Sequence, residues 1–363
     1  MSVKTSGIGT GGLAAVLALS RIFSEAALLP GEYIGYGMQR FTAVVLSFIL
    51  AAAVWLPLYL VMQRAGEVSA PDLVCGCGRA VSGFTGTILS VYLLFCAAET
   101  GFRAHCYASG TAFDSAPSAY FYIFTGAALL FAVSRGLKPT VRAGFLAFAG
   151  FLLLLALIVL SLLPDIKMDR LYPSLIDDPR SLPAEVLDEF SRSSELLLPA
   201  VLCRGQGCKP AKCAGICLLM SCGGILLMTF LYNTVFGHLV SLLDYPFYAL
   251  SSVSDITLLH RINGIDVMIW VSAAIVRLAL FTFAFRETVS VCFSVEKAAP
   301  VCGYVFGAAA LLLSDLFTAY PEMYDSLNNV CSSGIPLTAA AVMLAAASGT
   351  GLALKNKGKA AER

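Results

Sequence analysis

The chain has 363 residues, of which 58% are hydrophobic and 13% are charged, and its formal net charge is +1. Soluble domains average about 25% charged residues, and here apolar runs of about 20 residues follow one another. The composition therefore excludes a soluble domain and predicts an all-α integral membrane protein. The small net charge argues against a nucleic-acid partner, and the sequence contains no nucleotide-binding or zinc-protease motif. We expect a protein that is not an enzyme and has no catalytic residues, metal or cofactor.

About ten membrane-spanning helices are predicted, five on each side of a polar seam that contains four prolines between residues 164 and 190. The predicted helices 1 to 5 cover residues 8–30, 41–63, 83–108, 118–134 and 140–163. The predicted helices 6 to 10 cover residues 186–203, 211–236, 264–286, 300–319 and 333–354. The segment 237–260 has a mixed character that predicts a partial or interfacial helix.

The seam predicts a single membrane domain, 1–363, that is built from two repeats. These parts are a first repeat at 8–163, an extracytoplasmic linker at 164–185, a second repeat at 186–354 and a basic cytoplasmic tail at 355–363. Because each repeat has an odd number of spans, the second must insert upside down, which gives an inverted five-plus-five repeat. Helices 1 and 6 then correspond. Each carries a charged string that ends in proline, SRIFSEAALLP at 20–30 and SRSSELLLP at 191–199, so both are predicted to be discontinuous.

The distribution of lysine and arginine predicts the orientation. When the N-terminus is placed in the cytoplasm, most of these bases fall in cytoplasmic segments, as the positive-inside rule requires. Arg40 and Arg103 are counted among the few bases of the outer segments. Both termini are therefore predicted to lie in the cytoplasm.

Charged and hydroxyl side chains inside the predicted spans are the candidate site. A charge at bilayer depth costs roughly 2.5–3.5 kcal/mol on insertion scales, so such residues are rarely without a role. The predicted ligand-binding residues are Arg21, Ser24, Glu25, Glu99, Arg192, Glu195 and Arg277.

The spacing of these charges allows pairs within each helix, but it does not decide which arginine meets which glutamate. Arg21 and Glu25 are four residues apart and share a helix face, and Arg192 and Glu195 are three apart. Arg277 is expected to pair with Glu99 or Glu25. Two interpretations remain open: each pair neutralises itself and fixes helix packing, or one or more members line a substrate cavity.

The cysteines do not predict a metal site. Four of them, Cys203, Cys208, Cys213 and Cys217, lie within 15 residues but lack the paired C-x-x-C spacing that such sites use. Cys75 and Cys77 are interpreted in the same way. Free cysteine in an apolar segment behaves as a small hydrophobic residue.

The segment 244–286 contains the most specific motif. It has a Tyr-Pro turn, an arginine before an acidic residue, an Ile-Trp pair and a basic residue in the helix that follows. These are Tyr245-Pro246, Arg261 and Asp266, Ile269-Trp270, and Arg277. This pattern resembles the B subunit of bacterial spore germinant receptors, the spore germination permease family. That family is similar to a branch of the amino acid–polyamine–organocation transporter superfamily. Leu29-Pro30 and Tyr172-Pro173 also resemble the family pattern.

Two departures from the family pattern bear on the ligand. The family's basic residue is typically lysine, whereas Arg277 stays protonated and is a poorer proton relay. Relatives place glycines before the Leu-x-x-Pro end of helix 1, but residues 22–26 contain none. Ligand chemistry is therefore expected to differ from that of a typical amino-acid receptor.

The resemblance implies the membrane subunit of a spore germinant receptor, in the bacterial cytoplasmic membrane that becomes the spore inner membrane. It implies an amino acid as the germinant, bound at mid-membrane between helices 1, 3, 6 and 8. It also implies two partners, an A-type membrane subunit and a C-type lipoprotein subunit. Two alternatives remain open. One is a stand-alone secondary transporter of an amino acid or similar solute, coupled to sodium or to protons with Glu99 as proton carrier. The other is a structural channel component without a ligand.

Overall fold

A computed structural model of the protein describes residues 8–32, 37–66, 68–112, 117–171, 180–254 and 262–361, and these ranges contain helices and no β-strand. The helices of the first half are α1 (Thr10–Ala26), α2 (Gly37–Ala65), α3 (Ala70–Cys75), α4 (Arg79–Thr111), α5 (Ser118–Arg135) and α6 (Leu137–Leu162). Those of the second half are α7 (Leu182–Ser191), α8 (Leu198–Leu202), α9 (Pro210–Phe236), α10 (Pro246–Val253), α11 (Ile262–Cys292), α12 (Ala299–Ala319), α13 (Pro321–Ser332) and α14 (Ile335–Ala361).

Eight helices of the described part are long and apolar enough to cross a membrane, namely α2, α4, α5, α6, α9, α11, α12 and α14. Large apolar side chains point outward from them, such as Phe124 at 73% exposure and Leu219 at 72%. Lipid covers such surfaces, and a helix satisfies its own backbone hydrogen bonds there. The protein is therefore an integral membrane protein. Of the two remaining predicted spans, helix 1 is a shorter helix of 17 residues and helix 6 is interrupted.

Helix 1 ends four residues earlier than predicted, because α1 stops at Ala26 rather than at residue 30. The Ala27 N–H donates to the Phe23 carbonyl at 2.9 Å as the last helical bond. Pro30 disfavours the helical conformation of the residue before it, so the helix cannot continue to the proline. The chain then leaves the helix inside the protein, and residues 27 and 28 are fully buried.

Helix 6 is not the single helix predicted over 186–203. It breaks after α7, and Arg192 and Ser193 separate α7 from a short 3-10 turn at Ser194–Leu197 that leads into α8. Pro199 lies in the first turn of α8, where a missing N–H is tolerated, so a proline here favours a new helix start. The predicted discontinuity of helix 6 is confirmed, and helix 1 is one continuous helix that ends before Pro30.

Two short helices were not predicted, α3 and α13. A signal for α3 exists in the sequence, since Ser69 and Asp72 form a capping box in which each side chain accepts from the other's backbone N–H at 3.3 Å. The partial helix expected within 237–260 is α10, which begins at Pro246.

Helix contacts between the two halves are symmetric: when a helix of the first half packs on one of the second half, the corresponding helices also pack on each other. Helix α4, the third span, packs on α11, the eighth. Helix α4 also packs on α12 as α11 packs on α5, and α1 packs on α9 as α7 packs on α2. This is the arrangement that an inverted five-plus-five repeat produces. It brings α1, α4, α7 and α11 together around the broken helices.

We expect Gly351→Ala to destabilise the protein by about 1–3 kcal/mol, because an added Cβ would lie 1.9 Å from the Leu73 carbonyl oxygen of α3. Gly349→Ala on the same helix is the matched control, since its nearest neighbour would be a Val61 methyl at 3.8 Å. Thermal unfolding in detergent measures both. Equal melting temperatures for the two variants would contradict the close approach of α14 to α3.

Candidate functional site

A buried cluster of charges lies where helix 1 ends and helix 6 breaks. Glu189 of α7 is its centre: one carboxylate oxygen accepts from Arg21 Nη2, and the other accepts from Arg40 Nη2 at 2.6 Å. Arg40 also donates to Glu25 Oε1 at 2.9 Å. None of these four residues is more than 2% exposed. Charges this deep are tolerated only when they are paired and hydrogen-bonded, so the cluster ties α1 and α2 to α7.

Arg192 completes this cluster from the break in helix 6. Its Nη1 lies 3.6 Å from both Glu25 Oε2 and Glu189 Oε2, and its Nη2 donates to Asp188 Oδ2 at 2.5 Å. Three arginines, Arg21, Arg40 and Arg192, therefore face the three carboxylates of Glu25, Asp188 and Glu189. The cluster has no net charge, which allows it to remain buried.

A second ion pair joins helices 1, 6 and 8. Arg277 Nε of α11 lies 3.0 Å from Glu195 Oε1, and the same oxygen accepts from Ser20 Oγ at 3.0 Å. The Arg277 guanidinium also lies over the Phe281 ring, 5.5 Å from its centroid, in a cation–π contact. Arg277 is 2% exposed and Glu195 is 1% exposed, so the pair is fully desolvated.

A small polar cavity of about 20 Å³ lies beside these ion pairs. It is lined by Ser24, Tyr92, Phe95, Cys96, Glu99, Arg103, Asp188, Ser191, Arg192, Ser194, Arg277, Asn328, Cys331, Pro336 and Leu337. Arg192 Nη1 and Arg277 Nη1, on two of its lining residues, are buried without a hydrogen-bond partner among the described residues. This volume suffices for about one water molecule, so the protein is closed around the site.

Four of the seven predicted site residues line this cavity, namely Ser24, Glu99, Arg192 and Arg277. The other three, Arg21, Glu25 and Glu195, do not line it and instead hold the arginines and helices around it in ion pairs. The structure thus brings all seven into one region, and it separates lining residues from positioning residues.

The two pairs that spacing allows within the helices are not the ones that the structure shows. Arg21 pairs with Glu189 rather than with Glu25 on its own helix, and Arg192 pairs with Asp188 rather than with Glu195. Residues three or four apart on a helix can meet, but a fully charged acceptor on a facing helix competes, and here it offers better geometry. The break in helix 6 also places Arg192 and Glu195 on different elements.

The predicted partners of Arg277 are also wrong. Arg277 pairs with Glu195 and not with Glu99 or Glu25. Glu99 is instead paired with Arg103 on the same helix, with Nε to Oε1 at 2.8 Å. The sequence contains a signal for this pair. Arg103 follows Glu99 by four residues, and this spacing places both side chains on one helix face.

Sequence reasoning missed Arg40, Arg103, Glu189 and Glu32 as members of the site. Arg40 and Arg103 were assigned to outer segments, but both are 1% exposed inside helices α2 and α4. Glu189 lies within the predicted helix 6 at 186–203 but is not among the predicted site residues. Its position three residues before Arg192 was the available signal.

The Glu32 carboxylate closes the cavity on the side where α1 ends, which we call the predicted outer side. It accepts from Arg103 Nη1 at 2.5 Å and Nη2 at 3.0 Å, and from Asn328 Nδ2 of α13 at 3.4 Å. Burial opposes the charge of Glu32, yet Arg103 outweighs it and holds the pKa of Glu32 below its usual range. This outer latch, Glu32–Arg103–Asn328, connects the end of helix 1 with α4 and α13.

A weaker contact closes the opposite side, which we call the predicted inner side. Arg204, in the turn after α8, lies 3.1 Å from Asp72 Oδ2 of α3 and 3.4 Å from Glu287 Oε2 of α11. All three side chains are about one-third exposed, so solvent screens the contact and its contribution to stability is small. We call this set the inner contact.

We expect Glu32→Gln to open the outer latch, because glutamine cannot accept both Arg103 bonds and carries no charge. Cys331 of α13 lines the cavity, and burial together with nearby Glu99 raises the pKa of its thiol to about 12. The half-buried thiol is therefore a poor nucleophile while the latch is closed. Labelling of Cys331 by a membrane-impermeant maleimide should increase in the variant, with Cys331→Ser giving the background.

Glu322→Gln is the matched control for this prediction, because Glu322 lies exposed at the start of α13 and outside the latch. It should leave Cys331 labelling unchanged. Equal labelling of Cys331 in the parent protein and in Glu32→Gln would contradict a latch at Glu32.

The motif of the segment 244–286 lies partly in the described residues. Tyr245-Pro246 begins α10, and Trp270 is fully buried between Phe151 and Phe247, each with a ring-centroid distance of 5.3 Å. Arg261 and Tyr172-Pro173 lie outside the described residues. Within the described ranges, no group of three or more His, Cys, Asp or Glu residues is placed to hold a metal ion, and Cys203, Cys208, Cys213 and Cys217 are buried free thiols.

No family model matches this chain, and no curated protein matches it. Its structure is similar to that of a Na⁺-coupled sialic acid symporter in a substrate-bound, outward-open state, with a TM-score of 0.62 and 10% identity over 91% of this chain and 77% of that one. It is similar to a nucleobase-cation-symport-1 family transporter in a closed conformation, with a TM-score of 0.62 and 12% identity over 90% of this chain and 78% of that one. It is also similar to a manganese transporter of Eremococcus coleocola, with a TM-score of 0.54 and 11% identity over 92% and 76%. The chain has the fold of membrane transporters.

Proposed function

We propose that the protein is a secondary transporter that carries a small zwitterionic solute, such as an amino acid, by alternating access. One observation carries this proposal: a closed polar cavity lies where helix 1 ends and helix 6 breaks, and two of its lining arginines, Arg192 and Arg277, each keep a buried Nη1 without a hydrogen-bond partner among the described residues. Transporters of inverted-repeat architecture bind substrates at such interruptions. The similarity to three transporters supports the proposal.

The chemistry of the cavity fits a ligand with both charges. Arg192 and Arg277 present guanidinium N–H groups, which bind a carboxylate with two parallel hydrogen bonds. Glu99 and Asp188 present carboxylates that suit an ammonium group. Ser24 of α1 also lines the cavity. An amino acid carries a carboxylate and an ammonium group close together, which matches this mixture of acids and bases.

In this proposal the outer latch and the inner contact are the two gates of the cavity, and they open in turn. Opening of the outer latch would admit solute on one side, and opening of the inner contact would release it on the other. A solute shifts this equilibrium only through the difference in its affinity for the closed and open conformations. The ion pairs behind the cavity, around Glu189 and Glu195, keep α1 and the broken helix 6 together during this change.

The second candidate function is the membrane subunit of a spore germinant receptor. The motif from Tyr245 to Arg277 favours it, and it would use the same cavity to bind a germinant. It requires an A-type membrane subunit and a C-type lipoprotein subunit as partners, and a location in the spore inner membrane. In this role a conformational change would be signalled to the partners without net movement of solute.

The test is uptake by the purified protein in liposomes, with a mixture of radiolabelled proteinogenic amino acids as the probe. We expect concentrative uptake that requires an imposed proton or sodium gradient, with each gradient applied separately. Protein-free liposomes and the Arg277→Gln variant are the controls. Saturable binding of an amino acid without uptake would contradict transport and support the receptor function. The absence of both would contradict both functions and leave a structural channel component.

A further inference from the structure

Asp266 is a carboxyl group buried outside the cavity. It lies near the beginning of α11 and has no exposed surface. Tyr107 OH donates to its Oδ2 at 2.7 Å, and Ser251 Oγ donates to the same oxygen at 3.4 Å. The other oxygen, Oδ1, has no hydrogen-bond partner in the described part of the chain.

No basic side chain within the described ranges forms a salt bridge with Asp266, in contrast to Glu25, Glu99, Glu189 and Glu195. The titratable groups around it are phenols: Tyr107 on α4 and, next to Tyr107, Tyr232 on α9 and Tyr245 and Tyr248 at α10. These groups are neutral at physiological pH. A buried ionised carboxylate without a cation is strongly unfavourable, whereas a protonated one needs only ordinary hydrogen bonds. This arrangement is therefore suited to the protonated form.

The place of Asp266 connects it with a short helix that can move. Ser251 belongs to α10, which packs on α9, α11 and α1. Helix α10 has eight residues and follows a buried Tyr-Pro turn on the predicted outer side. Loss of the proton from Asp266 would leave a charge under α10 that has only neutral hydrogen-bond donors, among them Tyr107, Ser251 and the Trp270 side chain. Water can solvate that charge only if α10 moves away.

We propose that Asp266 is the proton-binding site that couples this transporter to protons. With the proton on Asp266, α10 stays closed over α9 and α11. When the proton passes to water on the predicted outer side, the Asp266 carboxylate becomes hydrated and α10 is displaced. No other bond forms or breaks. The proposal rests on the proposed transport function and adds the identity of the coupling ion and its site.

Glu99 was the proton carrier expected from the sequence, and the structure favours Asp266 instead. Glu99 is already paired with Arg103, so protonating it would break an ion pair of the closed conformation. Asp266 can exchange its proton without breaking an ion pair of the described residues. An aromatic group around Trp270, one turn further along α11, separates it from the helix 1 charges.

Trp270 provides a direct measurement, because the protein has only two tryptophans. Trp55→Phe leaves Trp270 as the single fluorophore, and Trp55 Nε1 has no hydrogen-bond partner within the described residues, so this replacement loses no such bond. We would measure acrylamide quenching of Trp270 in nanodiscs from acidic to alkaline pH. Quenching should be low at acidic pH and increase as the pH rises through the titration of Asp266.

Two variants in the Trp55→Phe background make the result specific. Asp266→Asn should remove the pH dependence and keep quenching low at every pH, because asparagine stays neutral. Tyr107→Phe removes a donor that stabilises the carboxylate, so the midpoint should move up by about one pH unit. Asp315→Asn, an exposed acid of α12, should change neither. Quenching that is independent of pH in the parent, or unchanged in Asp266→Asn, would overturn the proposal.

This measurement needs no solute, so it is independent of the uptake test. Concentrative uptake together with quenching that is independent of pH would leave transport standing and overturn Asp266 as the proton site. Where uptake is present, Asp266→Asn should also abolish uptake driven by a proton gradient while exchange of external for internal solute continues.

Discussion

Replacing Glu189 by glutamine is expected to destabilise the protein by about 3–5 kcal/mol. The carboxylate is fully buried and accepts from both Arg21 and Arg40, with Arg192 at 3.6 Å. Glutamine has nearly the same shape, but it is neutral and turns a donor toward one of the arginines. Two buried guanidinium groups then lose their main counter-charge. A large decrease in the melting temperature in detergent would measure the effect.

Asp188→Asn is the matched control, since it is the preceding residue of the same helix and removes the same charge. Its side chain is 20% exposed and, among the described residues, it pairs with Arg192 alone, so its replacement should cost clearly less than that of Glu189. Similar melting temperatures for the two variants would contradict a central role of Glu189 in joining α1, α2 and α7.

Replacing Arg277 by glutamine is expected to weaken solute affinity in the uptake assay by about 10- to 100-fold. Its unpartnered Nη1 belongs to a residue of the cavity wall, and a hydrogen bond to a charged group contributes about 1.5–3 kcal/mol. Arg277→Lys should weaken affinity less, because it retains the charge but loses the two parallel N–H groups. The concentration dependence of uptake gives the measurement.

Arg277→Gln also removes the partner of Glu195, so stability must be separated from binding. In the double variant Arg277→Gln/Glu195→Gln no uncompensated charge remains, and the melting temperature should recover while affinity does not. Arg286→Gln, further along α11, is the control outside the cavity and should keep normal uptake. Recovery of affinity in the double variant would show that Arg277 acts only through packing.

The outcome for individual residues shows what the sequence could predict. The spans agree closely with their predicted positions because bilayer thickness requires about 20 apolar residues, a length that is visible without an alignment. The end of helix 1 and the start of α8 within helix 6 could also be predicted. Pro30 and Pro199 restrict where a helix can end or begin. The choice of Arg21, Glu25, Glu195 and Arg277 followed from the cost of charge at that depth.

The partners of these charges could not be predicted. Spacing along one helix allowed Arg21 with Glu25, but the structure places Glu189, which is 168 residues away, closer to Arg21. Arg40 seemed to be a loop residue because it precedes the apolar run, yet its helix begins earlier and points the side chain inward. In the sequence, Asp266 is only one residue of a motif. The structure shows that its neighbours on α4 and α10 are neutral and that no basic side chain of the described residues pairs with it.

The sequence by itself determined the membrane class, the positions of the helices and the group of charges that had to be compensated inside the bilayer. These depend on composition and on local spacing. Only the tertiary structure decided which arginine meets which carboxylate, which residues line the cavity and which acid remains without a cation. Those outcomes depend on how helices far apart in the chain face one another, and the periodicity of a single helix contains no information about its neighbours.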